Sequence, residues 1–334
     1  RGGLGGANIL VSTMMGGVSA SNLADAAMLS RMMVPEMEQK GYSRGFAAAI
    51  TASGSLITPI IPPGIALILY GLVADVSIGS MFMAGILPGL LCSAMLIVTV
   101  WLVAIRRGLK PSSEHWPKPK EVSVALVQAW PALFLIVAVI GGIRANIFTP
   151  TEAGAVAVLL VMFIGFVIYR ELKISHVFTA LSETARSTAS VMLIIMASAA
   201  LGWIFSLERA GITVAEFVTS LTDNKYVFLL IINLLLLVLG MFLEGSAILL
   251  ILVPLLKPVV AHFGIDPVHF GIIMILNLSL GTLSPPVGTV MLLVCNTVQV
   301  SVGQFMREAV PLLVSLILLL LVITYIPAIS LLLV

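Results

Sequence analysis

The sequence Thr58-Pro59-Ile60-Ile61-Pro62-Pro63-Gly64 lies in the middle of an apolar run, residues 46–73, that is long enough to span a lipid bilayer. Three prolines and a glycine within seven residues cannot continue an α-helix, because proline lacks the backbone N–H and its ring clashes with the preceding turn. The run is therefore predicted to break near its middle and to leave backbone groups unpaired at membrane depth. Such backbone is tolerated only where it is buried in protein or lines a polar cavity, so the stretch is a candidate site.

The composition predicts a polytopic α-helical membrane protein. Of the 334 residues, 60% are hydrophobic and only 10% are charged, whereas soluble domains carry about 25% charged residues. The basic residues lie in separate short loops, so no nucleic-acid-binding surface is expected. The two cysteines and four histidines show neither a disulfide framework nor metal-ligand spacing, and no cofactor is predicted. Without a metal cluster, nucleophile motif or nucleotide loop, a membrane-embedded enzyme is only a remote alternative.

The first third of the chain is predicted to form a hairpin ahead of the broken span. Two short apolar stretches, residues 7–15 and 23–34, flank a tip at 16–22 that is rich in glycine, serine and asparagine. Each stretch is shorter than the about 20 residues that a crossing helix needs, so we predict a re-entrant helical hairpin. A spanning helix is predicted at 83–105.

The middle of the chain is predicted to form a peripheral arm. A polar, basic loop fills residues 106–122, and helices near 124–142 and 153–169 form a tight pair. Residues 170–186 are predicted to lie along the membrane surface as an amphipathic helix. A span near 189–207 and a polar linker follow.

A second hairpin and a second broken span occupy the last third of the chain. Apolar runs at 226–239 and 247–260 flank a tip at 240–246. The second broken span covers residues 268–298 and is interrupted by Gly-Thr-Leu-Ser-Pro-Pro-Val-Gly (281–288).

Four glycine and proline positions recur after a constant shift of 223 residues, which indicates an internal repeat. The pairs are Gly17/Gly240, Gly41/Gly264, Pro62/Pro285 and Pro63/Pro286. Five predicted crossings separate the two hairpins, so the second copy is inverted and the hairpins enter from opposite faces. The predicted organisation is a first inverted repeat at 1–105, a cytoplasmic loop, helix pair and surface helix at 106–188, and a second inverted repeat at 189–334.

The distribution of basic residues predicts the orientation in the membrane. When the first hairpin opens to the cytoplasm, 13 of the 17 lysines and arginines lie on the cytoplasmic side, in agreement with the positive-inside rule. The C-terminus is then periplasmic. The basic residues left outside are Arg144, Arg209, Lys225 and Lys257.

Opposed hairpins beside broken helices at the membrane midplane are typical of secondary transporters. A helix N-terminus at a tip directs free N–H groups at an anion, while unwound carbonyls and helix C-termini offer oxygen ligands to a small cation. We therefore predict two cation sites that flank one anionic substrate. The predicted cation-binding residues are Ser19, Ser21, Asn22, Gly54 and Thr58 in the first copy, and Gly245, Ser246, Gly281 and Thr282 in the second.

Each of these features has a structural alternative. Small residues also line close contacts between membrane helices. Asp25, one turn past the first tip, is either a functional intramembrane carboxylate or a first-turn residue that satisfies hairpin N–H groups. The same alternatives apply to Glu244 at the second tip. Asn277 either orients the carbonyls of the second break or bridges helices, and Glu152 is read as a helix-opening residue.

Six motifs follow one another along the chain. They are Gly-Gly-Val-Ser-Ala-Ser-Asn-Leu-Ala-Asp (16–25), Gly-Tyr-Ser-Arg-Gly-Phe-Ala-Ala-Ala-Ile-Thr-Ala-Ser (41–53), Thr-Pro-Ile-Ile-Pro-Pro-Gly (58–64), Pro-Thr-Glu-Ala-Gly-Ala-Val-Ala-Val (150–158), Asp-Pro-Val-His-Phe-Gly (266–271) and Ser-Pro-Pro-Val-Gly (284–288). In this order they resemble the large membrane subunit of tripartite ATP-independent periplasmic (TRAP) transporters, the DctM-like proteins. The resemblance covers essentially the whole chain.

The resemblance implies an elevator-type, sodium-coupled importer of an organic acid, such as a C4-dicarboxylate or sialic acid, in the bacterial inner membrane. It implies the ion-transporter superfamily fold and two partners, a small four-helix membrane subunit and a periplasmic binding protein. By position it adds Gly288 to the cation ligands and assigns substrate contacts to both tips and both breaks. Those contacts are Ser21, Asp25, Pro62, Pro63, Glu244, Ser284, Pro285 and Pro286.

Two positions depart from the family pattern. Ala20 stands where the tip usually has glycine, and Glu244 stands where aspartate is common; either change is expected to affect substrate choice. Further N-terminal residues are expected to hold scaffold helices. The alternative within transporters is a stand-alone divalent-anion/sodium symporter, which needs no binding protein.

Overall fold

The structure, a computed structural model, is mainly helical in the part of the chain that it describes, with no β-strand there. The described residues are 2–19, 21–109, 119–145 and 147–334. Six described helices are long and apolar enough to cross a membrane, which confirms an all-α polytopic membrane protein. These segments are Ile78–Arg106, Thr151–Ile168, Ile174–Phe205, Lys225–Phe242, Gly245–His262 and Val302–Tyr325.

The chain divides into two compact units, of which the larger joins residues 1–112 to residues 202–334. Its N-terminal part contains five helices. They are α1 (Gly3–Ser19), α2 (Asn22–Gln39), α3 (Arg44–Ser55), α4 (Ile65–Ala74) and α5 (Ile78–Arg106). Serine side chains cap the N-termini of α2, α3 and α5, each by accepting a hydrogen bond from the backbone N–H three residues later.

The smaller unit covers residues 113–201. It contains α6 (Pro119–Arg144), α7 (Pro150–Phe163) with a π-helical turn at Ile164–Ile168, and most of α8 (Ile174–Leu207). Thr149 and Glu152 form a capping box at the start of α7, in which each side chain accepts a hydrogen bond from the other residue's backbone N–H. The helix-opening interpretation of Glu152 is therefore what the structure shows.

The C-terminal part of the larger unit begins with α9. Its helices are α9 (Ala210–Leu221), α10 (Lys225–Phe242), α11 (Gly245–His262), α12 (Pro267–Gly281), α13 (Thr289–Val298), α14 (Val302–Tyr325) and α15 (Ala328–Leu331).

The hairpin helices are longer than predicted. α1 and α2 have 17 and 18 residues, and α10 and α11 have 18 residues each. Gly16 does not begin a tip, because α1 continues through it and packs there on the first break, where a Cβ would lie 3.0 Å from the Ile61 Cβ. The re-entrant path of the two hairpins stays a prediction, since length alone does not decide whether a hairpin turns back or crosses.

Two predictions for the middle of the chain were wrong. The amphipathic helix at 170–186 and the span at 189–207 are one continuous helix, α8, because a change from polar to apolar composition does not interrupt backbone hydrogen bonding. The polar linker after it contains a helix, α9, which packs against α11.

Both broken spans are interrupted as the prolines predict. The first break runs from Leu56 to Gly64, and the second from Thr282 to Gly288. The backbone of the first break is better paired than predicted, because the amides of residues 56, 57 and 58 donate to carbonyls three residues earlier. Both Pro-Pro bonds, at 62–63 and 285–286, are cis.

The two halves of the larger unit interlock in the same way. Each hairpin packs its first helix on the first segment of its own broken span, α1 on α3 and α10 on α12. The second segment of each broken span packs on the hairpin of the other half, α4 on α11 and α13 on α2. The repeat boundaries stay a prediction, but the breaks are held by both halves.

Close backbone contact with α5 fixes the first break. A Cβ added to Gly85 would clash with the Ile60 carbonyl oxygen, and one added to Gly89 would lie 2.5 Å from the Ile61 side chain. The break therefore rests on a glycine face of α5, where nothing larger than hydrogen fits.

We expect Gly85→Ala to lower stability by roughly 1–3 kcal/mol, because the added methyl group overpacks this contact and the carbonyl of Ile60 cannot move freely. Thermal unfolding of the purified protein measures the change. Gly303→Ala is the matched control, since no atom lies within 4 Å of its Cβ position and alanine favours the helix. An equal effect of both substitutions would contradict the close contact.

Candidate functional site

The end of α1, three residues before the first tip, lies directly on the first break. At Gly16 a Cβ would lie 3.3 Å from the Thr58 Cα, so α1 and the break are in backbone contact. Every residue from Thr51 to Pro62 is buried. The structure thus places the end of α1 on the break, and the contact between the tip itself and the break stays a prediction.

A buried carboxylate lies beside this contact. Asp25, in the first turn of α2, is 1% exposed, and its Oδ2 accepts a hydrogen bond from the Thr58 hydroxyl at 3.4 Å. The Ser12 side chain of α1 also lies beside the carboxyl group but makes no hydrogen bond to it. Within the described part of the chain, Oδ1 of Asp25 has no hydrogen-bond partner.

More buried oxygen atoms lie on α1 and α3, which pack together beside the first break. Asn8 donates from Nδ2 to the Thr51 hydroxyl at 2.6 Å, which leaves its own Oδ1 unpaired among the described residues. The hydroxyls of Ser12 and Ser53 are likewise buried and unpaired there. Gly54 makes room for this cluster, because a Cβ at Gly54 would lie 3.1 Å from the Ser12 hydroxyl oxygen.

The cluster contains an acidic group without a basic partner among the described residues. Among the described residues the ion pairs are Arg44–Glu38 and Arg107–Glu308, so neither involves Asp25. A carboxylate held away from water without a counter-charge is costly in a membrane. A donor set of carboxylate, hydroxyl and amide oxygens suits a small hard cation, which binds oxygen ligands.

The tip side chains serve the helix instead of the cluster. The Ser21 hydroxyl caps α2 by accepting a hydrogen bond from the Ala24 N–H at 3.4 Å, and the Asn22 Oδ1 accepts from the Leu23 N–H at 2.9 Å. Lone pairs on both oxygens are still free for a ligand. The side chain of Ser19, and Ala20 altogether, lie outside the described residues.

The second tip differs from the first in its acid. Glu244 is exposed and caps α11, since its Oε2 accepts from the Ala247 N–H at 3.0 Å and its Oε1 from the Ser246 hydroxyl at 2.9 Å. Gly245 lies on the last turn of α12, just before the second break, where its Cβ position is 3.6 Å from the Leu278 Cβ. In this conformation Glu244 satisfies the helix terminus, and a substrate contact stays a prediction.

The polar groups of the second break form hydrogen bonds with one another and with the adjoining helices α12 and α13. The Thr282 carbonyl accepts from the Val290 and Met291 amides at 3.1 and 3.2 Å, so both of its lone pairs are engaged. The Thr282 hydroxyl donates to the Ser279 carbonyl at 2.7 Å, and Ser284 is buried. The Gly281 carbonyl accepts from the Ser284 amide.

The predicted substrate residues at the breaks differ in accessibility. Pro285 and Pro286 are exposed, whereas Pro62 is buried and Pro63 is half-buried. Gly288 has φ of +48°, a conformation that favours glycine, and its N–H donates to the Met241 carbonyl of the hairpin at 3.2 Å. The second break is therefore tied to its own tip by backbone.

Sequence reasoning missed two sets of polar side chains. Asn8 and Ser12 were not identified, although their spacing of four residues places both on one face of an apolar helix. The second set links Asn233, Thr324 and His269 to Asn277 across three helices. Only the folded chain brings these four residues together.

Comparison with known proteins gives the family. Residues 1–329 match the family described as "Tripartite ATP-independent periplasmic transporter, DctM component". The Vibrio cholerae protein named sialic acid TRAP transporter large permease protein SiaM is 40% identical over 334 residues, which cover 99% of this chain and 77% of the relative.

Two further relatives carry other substrates in their names. The Escherichia coli 2,3-diketo-L-gulonate TRAP transporter large permease protein YiaN is 35% identical, with 98% of this chain and 76% of the relative covered. The Pseudomonas aeruginosa C4-dicarboxylate TRAP transporter large permease protein DctM is 34% identical, with 99% and 77% covered. The chain therefore belongs to the DctM-component family of tripartite ATP-independent periplasmic transporters, and it is a transporter subunit, not an enzyme.

Proposed function

We propose that this subunit moves an organic acid across the bacterial inner membrane and that sodium binding drives the movement. The observation that carries the proposal is the Asp25 cluster, a buried carboxylate among unpaired oxygen atoms beside the first break. A membrane protein keeps such a group for function by default, because burial in an apolar environment is costly.

A cation explains the cluster better than a proton. A protonated Asp25 would donate one hydrogen bond and satisfy one acceptor, whereas the carboxyl group, the Asn8 Oδ1 and the serine hydroxyl oxygens all offer lone pairs that a cation can bind. A sodium ion takes several oxygen ligands at once and also neutralises the carboxylate. The site assigned to Asp25 thus becomes a cation site in this proposal, with substrate contacts left to the tips and the exposed prolines.

The substrate class follows from the names of the relatives and the chemistry of the tips. Sialic acid, diketogulonate and C4-dicarboxylates all carry a carboxylate. A substrate carboxylate fits beside the helix N-terminus of α2, where N–H groups and the positive end of the helix dipole favour an anion. At α11 the carboxylate of Glu244 already caps the terminus. Ala20 and Glu244 belong to these tips and are the positions that we expect to tune the choice among organic acids.

The partners and the movement are part of the same proposal. A periplasmic binding protein delivers the acid, and a small four-helix membrane subunit supports this chain in the bilayer. The hairpins and broken spans move together as an elevator, with the first hairpin open to the cytoplasm and the C-terminus in the periplasm. The interlocked packing of α4 on α11 and of α13 on α2 supports movement of both halves as one body.

We expect uptake to depend on a sodium gradient when the permease, small subunit and loaded binding protein are reconstituted in vesicles. Ser21→Ala and Thr282→Ala should each raise the half-saturating sodium concentration, because each removes a hydroxyl oxygen from a predicted cation site. Ser77→Ala is the control, since it removes a serine cap from α5 away from both tips. Undiminished uptake without a sodium gradient would contradict the proposed sodium coupling.

The Asp25 cluster makes a separate prediction. Sodium, compared with choline, should raise the thermal midpoint of the unmodified protein, and a ligand at 100 times its Kd stabilises by about 2.7 kcal/mol. Asp25→Asn should abolish most of this shift, because the neutral amide no longer attracts the ion. Glu36→Gln, at an exposed acid on the same helix, should retain it. An equal sodium shift in Asp25→Asn and the unmodified protein would rule out Asp25 as a ligand.

A further inference from the structure

A chain of hydrogen bonds runs between three helices in the second half of the larger unit. Asn277 of α12 donates from Nδ2 to the Oδ1 of Asn233 on α10. Asn233 donates from its own Nδ2 to the Thr324 hydroxyl of α14 at 3.1 Å. The Thr324 carbonyl accepts from the His269 Nε2 at 3.2 Å. These four residues are called the Asn277 network.

The network is buried among apolar side chains. Asn277 is fully buried, and the other three members are at most 5% exposed. The α12 residues around Asn277, from Ile272 to Leu276, are buried and hydrophobic. Polar groups in such a place need partners, because lipid and apolar side chains provide none.

At the Asn277 end of the network, one side-chain oxygen accepts no hydrogen bond from the described residues. Asn233 uses its Nδ2 on Thr324, so its Oδ1 is the acceptor for Asn277. Asn277 presents its Nδ2 to this oxygen, so its own Oδ1 takes no part in the pair. Within the described part of the chain this oxygen has no hydrogen-bond partner. A buried amide oxygen without a donor is expensive, so a ligand there is favoured.

The location of this oxygen favours a cation over an anion. Asn277 lies one turn before Gly281, where α12 ends and the second break begins. The C-terminal end of a helix carries partial negative charge and attracts cations. A carbonyl oxygen of an amide side chain is also a suitable ligand for a small hard cation.

The first half contains a parallel arrangement. There Asn8 of α1 donates to Thr51 of α3, and the Asn8 Oδ1 is left unpaired in the described structure. In both halves an asparagine amide therefore joins the first hairpin helix to the first segment of the broken span. The unpaired oxygen belongs to the hairpin helix in the first half and to the broken span in the second.

We propose that the side-chain oxygen of Asn277 is a ligand for a small monovalent cation at the second break, and that Asn233 and Thr324 hold it in position. This inference rests on the proposed cation coupling and adds a residue that the tip and break motifs do not contain. The competing explanation is that the Asn277 network only binds α10, α12 and α14 together.

A pair of leucine substitutions separates the two explanations. Asn277→Leu should destabilise the protein, because it leaves the Asn233 oxygen without a donor, and should raise the half-saturating sodium concentration about tenfold. The double variant Asn233→Leu/Asn277→Leu removes both amides, so its thermal midpoint should recover. Its sodium response should stay as weak as that of Asn277→Leu, because the ligand oxygen is still absent.

The measurements are sodium-dependent uptake by the reconstituted complex and the thermal shift of the purified protein in sodium chloride against choline chloride. The control is Thr13→Val/Ser93→Ala, which removes a side-chain hydrogen bond of 2.9 Å between α1 and α5. This control should keep the sodium response of the unmodified protein.

The outcomes distinguish the role of Asn277 as a ligand from sodium coupling itself. Recovery of the sodium response in the double variant, or an unchanged response in Asn277→Leu, would show that the network only joins helices. If the unmodified protein shows no sodium response in either measurement, sodium coupling itself fails and the assignment of Asn277 fails with it.

Discussion

A backbone that leaves its helix inside a membrane must find hydrogen-bond partners within the protein, and most of this structure follows from that requirement. Lipid offers none, so each unpaired group there costs several kcal/mol. The first break meets the requirement with a tight turn that rests on glycines of α5, and the second folds its amides back onto the Thr282 carbonyl. The breaks are therefore defined structures, held in fixed positions, and not flexible kinks.

With the backbone satisfied, the buried side-chain oxygens that are still unpaired become informative. Asp25, Ser12 and Ser53 lie beside the first break, and Asn277 lies before the second. The two acids near the tips differ in burial. Asp25 is buried without a charged partner, whereas Glu244 caps a helix at the surface. Burial, and not position in the motif, indicates which acid is available to a cation.

In the proposed function the cation and substrate sites move together, and the interlocked halves support this. Each break is held between its own hairpin and the hairpin of the other half, through α13 on α2 and α4 on α11. A conformational change at either break therefore affects the packing of helices in both halves. This arrangement suits a transporter in which ion and substrate sites travel together, because close-packed interfaces transmit shifts and do not absorb them.

The sequence by itself determined the membrane class, both breaks, the repeat of glycines and prolines, and the family, because composition and proline chemistry act locally. It did not determine the continuity of α8 or the helix α9, since a change in polarity resembles a helix end without being one. Only the tertiary structure decided which polar residues matter together. Asn8 meets Thr51, and Asn233 meets Asn277, over separations of 43 and 44 residues. Such pairs depend on how the helices pack, and no local sequence pattern predicts this packing.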